Sequence, residues 1–201
     1  SDGSYIVTEG STTIGTFTGV NDDIKVTLDS ARASAADQIT VDLGGGKIDS
    51  LTVNLGNGDN SLAVKNGTIG SSLFYQTAEG DDSLTIAADA TISKSVDAFF
   101  GGGDNELSLA GRVERSLQVR AGAGDDGMTF EPGSSVARDV TLSLGGGDNS
   151  VSASGTVGRS FQIQAGLGDD TIELLASASI GRGLYIDLGS GDNVLTSNAD
   201  V

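Results

Sequence analysis

The sequence predicts an all-β chain wound into a single parallel β-solenoid, and three observations carry that prediction. A Gly-Asp-Asn or Gly-Asp-Asp phrase begins at Gly58, Gly80, Gly103, Gly124, Gly147, Gly168 and Gly191, in steps of 22, 23, 21, 23, 21 and 23 residues. Each phrase is followed by apolar residues in alternation, the mark of a strand with one buried face. A second alternating run follows at a fixed distance before the next phrase. A period of this length and regularity is the signature of a stacked array, in which equivalent residues of successive coils form columns.

The first run of each coil reads Leu62/Val64, Leu84/Ile86, Leu107/Leu109, Met128/Phe130, Val151/Ala153 and Ile172/Leu174, with Ala153 its weakest member. An apolar landmark follows at Ile69, Ile92, Val113, Val136, Val157 and Ile180, always 11 residues before the next motif glycine. The second run reads Leu73/Tyr75, Val96/Ala98, Leu117/Val119, Val140/Leu142, Phe161/Ile163 and Leu184/Ile186. All length variation falls before the landmark, where the arm measures 11, 12, 10, 12, 10 and 12 residues. The Gly-Asp-Asp coils are the long ones, so the unit is a pair of coils of about 44 residues. At ~4.8 Å per coil, roughly seven or eight coils make a rod core ~35 Å long. Three short faces per coil fit the spacing better than two, and parallel crossovers favour a right-handed winding.

Composition agrees. With 31 glycines and nine aromatic residues in 201, a thin core of stacked aliphatics fits better than a thick one. No window keeps the helical i, i+3, i+4, i+7 pattern. The apolar columns argue against the disorder that a Gly-rich chain of net charge −17 would otherwise suggest. The chain has no cysteine and no histidine, which excludes disulfides, thiolate chemistry, Ser-His-Asp and Cys-His arrangements and the commonest transition-metal ligand. No apolar run approaches the ~18 residues that span a membrane. The negative charge speaks against nucleic acid and anionic membranes as partners and favours divalent cations.

Taken in order, residues 1–35 read as an N-terminal cap or donor segment with a degenerate first coil. Residues 36–201 read as the solenoid repeats, with an uncapped C-terminal end. The cap segment has apolar beats at Tyr5, Val7, Ile14 and Phe17. Asp22-Asp23-Ile24-Lys25-Val26-Thr27-Leu28 reads as the opening of the degenerate coil, and Ala31-Arg32-Ala33-Ser34-Ala35 as a small-residue stretch within it. Gly191-Asp192-Asn193-Val194-Leu195 opens a further coil.

Two charged columns follow from the repeat. Asp59, Asp81, Asp104, Asp125, Asp148, Asp169 and Asp192 stack at the corner after the glycine turn, beside Asn60, Asp82, Asn105, Asp126, Asn149, Asp170 and Asn193. Carboxylates ~4.8 Å apart repel by roughly 1 kcal/mol in bulk water, so the ladder needs a cause. One cause is turn geometry: Asx-turns to amides two residues on, with glycine supplying positive φ. The other is that carboxylates and carbonyls of adjacent coils share calcium, which takes six to eight oxygens. The candidate calcium residues are Asp59, Asp81, Asp82, Asp104, Asp125, Asp126, Asp148, Asp169, Asp170 and Asp192. A basic column, Lys94, Arg115, Arg138, Arg159 and Arg182, lies two residues after the landmarks. It reads either as a solvated edge relieved by Asp97, Glu114 and Asp139, or as a docking edge for an anionic surface.

The phrases Ala121-Gly122-Ala123-Gly124-Asp125-Asp126-Gly127-Met128-Thr129 and Ala165-Gly166-Leu167-Gly168-Asp169-Asp170-Thr171-Ile172-Glu173 resemble the nonapeptide of RTX (haemolysin-type calcium-binding) repeats of secreted bacterial proteins. The resemblance implies a parallel β-roll whose motif glycines, aspartate and carbonyls bind calcium. By position it places Asp82, Asp126 and Asp170 on the family's ligand aspartate, where Asn60, Asn105, Asn149 and Asn193 depart from it. The coil period also departs, because an RTX coil is two consecutive nonapeptides. The resemblance covers the seven turns and points to the architecture and habitat of bacterial surface proteins and adhesins.

Functionally, these observations lead to an extracellular structural or adhesive rod at the cell surface. Its expected partners are copies of itself, joined head to tail into filaments or a surface layer and also laterally. An anionic polysaccharide or cell surface is the other candidate partner. The alternative is a calcium-loaded module of a larger secreted protein. A polysaccharide-active β-helix enzyme would break the repeat locally with extra acids and aromatic platforms, and no such break is present, so the chain is expected not to be an enzyme.

Overall fold

A computed structural model describes residues 4–9, 12–18, 20–28 and 36–199, the first two segments as backbone only. Three parallel sheets of eight, seven and eight strands stack side by side, and no helix occurs among the described residues. One coil shows the plan. Glu106–Leu109 lies on the first face, Arg112–Val113 on the short second face and Leu117–Arg120 on the third. Every face pairs in register with the next coil. Leu107 and Leu109 sit opposite Met128 and Phe130, Val113 opposite Val136, and Leu117 and Val119 opposite Val140 and Leu142. These are the columns expected from the sequence, and three faces is the expected number.

Alternation decides which residues fill the core. In the strand Ser83–Ile86, Leu84 and Ile86 are buried while Thr85 is exposed. Fully burying an aliphatic side chain of this size contributes about 1.5–3 kcal/mol. Volumes complement one another along each column. Ala153 sits above Phe130, and the Phe130 ring meets Phe161 edge-on at 5.3 Å between centroids, filling the space a larger residue at 153 would take. Ala98 is placed likewise above Tyr75, whose ring packs edge-on against Phe100 at 5.7 Å.

The two extra residues of the long coils lie at the corner between first and second faces. There a turn closes by hydrogen bonds from the amides of Ala90, Ser134 and Ala178 to the carbonyls of Ala87, Glu131 and Leu175. The short coil above must accommodate that turn. A Cβ at Gly111 would collide with the carbonyl oxygens of Ala87 and Ala90, and one at Gly155 with Ser134. Long and short coils are therefore complementary.

The N-terminal end departs from the expectation in two respects. Ser4–Glu9 and Thr12–Thr18 pair with each other as an antiparallel hairpin rather than completing a coil, and the first of these strands runs beside Gln38–Asp42. Ile24–Thr27 pairs with Leu51–Asn54, so it belongs to the third face and does not open a coil. The reason is distance: only 15 residues separate Ile24 from Ile39, too few to circle a coil of 21–23. The stretch Ala31 to Ala35 lies outside the described residues, as do Asp200 and Val201.

The motif glycines are held by φ as well as by space. Gly124 has φ +137°, and a Cβ there would collide with the carbonyl oxygen of Gly103. Gly133 has φ +88° but open space around it. Gly133→Ala is therefore expected to lower stability by about 1–2 kcal/mol, the strain of a left-handed residue alone. Gly124→Ala adds the backbone clash and is expected to lose substantially more, as read by urea denaturation of the two variants side by side.

Candidate functional site: a corner of opposed oxygen ladders

The Gly-Asp corner joins the third face to the first, and there the chain stops making regular strand hydrogen bonds. Side-chain oxygens take over. The amide of each outer aspartate donates to Oδ1 of the outer aspartate one coil earlier: Asp81 to Asp59 at 3.0 Å, Asp104 to Asp81 at 2.8 Å, and Asp125 to Asp104 at 2.7 Å. Asp148, Asp169 and Asp192 continue the series, each at 2.7 Å. The next amide in the chain does the opposite. Asn60 donates to Asp82 Oδ1 at 2.8 Å, Asp82 to Asn105 at 3.1 Å, and Asn105 to Asp126 at 3.0 Å. The ladder goes on through Asn149 and Asp170 to Asn193. Two ladders thus run in opposite directions along one edge.

This corrects the turn expectation. In these columns the aspartate oxygens accept from the neighbouring coil, not from an amide two residues on. That local pattern does occur at Asp42 and Asp187, whose Oδ1 atoms accept the amides of Gly44 and Gly189. The cause is the glycine before each outer aspartate, which turns the backbone so that two successive amides point along the rod in opposite directions. An amide left unpaired there loses a hydrogen bond's worth of free energy, about 1 kcal/mol.

The columns differ in environment. Asp59, Asp81, Asp104, Asp125, Asp148, Asp169 and Asp192 are exposed, whereas Asn60, Asp82, Asn105, Asp126, Asn149 and Asp170 are buried to 1% exposure or less. Sequence reasoning treated the second column as a surface feature. The missed signal was register: Asp82, Leu84 and Ile86 alternate, as do Asp126, Met128 and Phe130, so the inner column belongs to the inward positions of the first face. Burial pushes the Asp126 carboxyl up to about 6, against hydrogen bonds from Asn105 that pull it down. Burial raises Asp82 as well. Close to Asp82 lie two more buried groups without hydrogen-bond partners, the Thr77 hydroxyl and the Tyr75 phenol, the latter pushed up by burial and by the charge of Asp82. Nothing in the repeat pattern singled out Thr77 or Tyr75 for this role.

The candidate calcium residues are brought together as one edge, ten carboxylates in two columns. Among the described residues, no group of three or more acidic side chains lies close enough to hold a metal ion.

The basic column forms as expected, at the corner between second and third faces. The amides of Lys94, Arg115, Arg138, Arg159 and Arg182 each donate to the carbonyl one coil earlier, beginning at Ser71. Lys94 Nζ donates to Ser71 Oγ at 2.9 Å. The guanidinium groups of Arg115, Arg138, Arg159 and Arg182 have no ion-pair partner among the described residues. The acids expected to relieve them are otherwise placed: Glu114 pairs with Arg112 at 2.6 Å, and Asp139 Oδ1 accepts the Ser160 amide at 3.3 Å. Between the basic and acidic edges lies the outer surface of the third face. Its notable feature is Phe74 against Phe99 at 5.5 Å, with Arg120 over the Phe99 ring at 5.3 Å. Comparison with protein-family models, with curated proteins and with solved structures finds no match to this chain.

The outer ladder makes a distinguishable prediction. Asp125→Asn keeps the acceptor for the Asp148 amide and removes one charge from a stack whose neighbours repel by roughly 1 kcal/mol. It is expected to raise stability at low ionic strength, the gain fading near 1 M salt where the screening length is ~3 Å. Asp125→Ala removes the acceptor and is expected to lower stability by about 1 kcal/mol. Urea denaturation at two salt concentrations reads both.

Proposed function

We propose that the chain is a structural and adhesive repeat module of a bacterial cell-surface protein: a stiff extracellular β-solenoid rod that associates with copies of itself. The observation that carries this reading is the pair of charged edges flanking the third face. One carries seven exposed aspartates and the other five basic residues, four of them arginines without ion-pair partners. Both follow the coil spacing, so a rod laid beside another matches acid to base in register over several coils. Charge complementarity of this kind sets register and encounter rate more than raw affinity. The RTX-like phrases support the extracellular, bacterial setting. The reading assigns the chain no catalysis. A second mode of association is end to end: Val194–Ser197 is the last strand of the first face and Val194 and Leu195 are half exposed, which suits a parallel strand added from a second copy.

Sedimentation velocity tests the lateral contact. The unmutated protein is expected to associate at low salt and to dissociate as salt rises. Arg138→Glu with Arg159→Glu is expected to remain monomeric throughout. A monomeric unmutated protein at low salt would sink self-association, and retention on an acidic polysaccharide would then identify the basic edge's partner instead.

A second reading, a calcium-loaded module of a larger secreted protein, draws on the outer ladder, whose exposed carboxylates repeat at every coil. A ligand at a hundredfold excess over its Kd stabilises by ~2.7 kcal/mol. On this reading the melting temperature rises in calcium relative to chelator, and Asp125→Asn with Asp126→Asn removes the rise. Equal melting in calcium and chelator leaves the column to its hydrogen-bonding role alone.

A further inference from the structure

Asp82, Asp126 and Asp170 are buried, and each leaves its Oδ2 atom without a hydrogen-bond partner. Their coils alternate with asparagine coils that leave no such atom. In both kinds of coil Oδ1 has the same task, accepting the amide of the inner residue one coil earlier. The remaining terminal atom therefore takes the same place in both, Nδ2 in asparagine and Oδ2 in aspartate.

That place faces acceptors. Nδ2 of Asn60, Asn105 and Asn149 donates to the carbonyl of the glycine two residues earlier, Gly58, Gly103 and Gly147, at 2.7, 2.8 and 3.0 Å. In Asn105 and Asn149 it also donates to Oδ1 of the next coil's aspartate at 2.9 Å. The corresponding carbonyls in the aspartate coils, Gly80, Gly124 and Gly168, accept no hydrogen bond from the described residues. Each aspartate coil thus holds two unpaired acceptors, a carboxylate oxygen and a carbonyl, where each asparagine coil holds a donor and an acceptor. One donor is missing per pair of coils.

We infer that Asp82, Asp126 and Asp170 are neutral carboxylic acids in the folded rod, each donating Oδ2–H to the carbonyl of the glycine two residues before it, so that the rod takes up protons as it folds and is tighter in mild acid. One proton from solvent satisfies both acceptors at each site, and no other bond changes. The surroundings offer no competing base or cation. Asp126 meets Asn105 and Asn149 in its own column and the charges of Asp104 and Asp125 in the outer one. Asp82 meets Asn60, Asn105, Thr77, Tyr75 and the charge of Asp59. Asp170 lies between Asn149 and Asn193. Burial, which lifts Asp126 to about 6 and raises Asp82, acts in the same direction.

The sign follows from linkage. A carboxyl held above its unfolded value contributes stability that is fully present below the unfolded value and is lost as pH rises through the folded one. For Asp126, with the ordinary value at 3.8 and the folded one at about 6, the unfolding equilibrium constant grows on the order of tenfold between pH 5 and pH 7.5.

The test is urea denaturation, in chelator, of the unmutated chain and of the triple variant Asp82→Asn, Asp126→Asn, Asp170→Asn. The variant carries the missing donor permanently. It is expected to be the more stable at pH 7.5, with its advantage shrinking at least tenfold in equilibrium constant at pH 5. A variant less stable than the parent at pH 7.5, or an advantage independent of pH, overturns the proposal. Carbon-13 NMR of the side-chain carboxyls in the unmutated protein decides independently of whether the variant folds. An Asp126 signal that titrates near pH 6 supports the proposal, and one already ionised at pH 5 overturns it. A stabilisation by calcium that the variant lacks would place a cation where the proton is proposed, and would overturn it too.

Discussion

Everything in this rod depends on how two backbone amides per coil are satisfied at the Gly-Asp corner. A β-solenoid coil must bend sharply while every amide keeps a partner in the coil above or below. On the faces the ladders do this. At the corner the motif glycine turns the backbone and its carbonyl packs against the glycine of the next coil, so side chains must supply the acceptors. Only a short side chain ending in an oxygen reaches the neighbouring coil's amide without leaving a gap. Aspartate and asparagine are the two that fit, and the outer and inner ladders use nothing else from coil to coil.

The choice between them is electrostatic. On the outer, exposed column water and salt screen the charges, and aspartate occupies all seven positions. On the inner, buried column a run of aspartates would be far more costly, since desolvation and mutual repulsion add. Asparagine at alternate coils halves that burden, and its Nδ2 also supplies a donor to the aspartate next to it. The alternation then sets the period of the whole molecule. A coil with inner aspartate carries the two-residue turn at the opposite corner, a coil with inner asparagine carries the glycine that makes room for it, and the pair is the unit that repeats.

Much of this was legible in the sequence. Leu107, Val113 and Leu117 were assigned to three faces by counting, and Met128, Val136 and Val140 fell opposite them, because strand registry in a solenoid is fixed by a period that deletions and insertions cannot hide. The basic column was legible for the same reason. What could not be counted was direction. Nothing in a column of aspartates says whether their oxygens reach along the chain or across to the next coil, and the short-range habit of aspartate suggested the former. The burial of Asp82 and Asp126 was within reach, since the alternation of Leu84 and Ile86 extends backward to it. Hydrophilicity outweighed register in that reading. The ends were least legible. Ile24 and Val26 alternate equally well on either face, and only the short span to Ile39 assigns them.

A rod of this kind gathers its stability from neighbour to neighbour, so its coils share one free-energy cost per interface and no coil folds usefully alone. Side-chain ladders make that coupling strict. Removing one inner residue leaves the amide of the coil before it without an acceptor and, where it is an asparagine, leaves a carbonyl and a carboxylate without their donor. A proton at alternate coils is part of the same chain of dependence: Asn105 gives Nδ2 to Oδ1 of Asp126, and the proton on Oδ2 completes what Asn105 began. The corner is therefore a continuous polar seam running beside the aliphatic core, and the two meet at the first-face strand, where the seam's residue and the core's leucine are two positions apart. Such a seam resists local substitution, because each of its members completes the hydrogen bonding of its neighbours. The outer surface of the third face and the basic edge take no part in it. They are free to vary without cost to the fold, and that separation is what allows a repeat of this kind to serve as a scaffold for contacts made along its length.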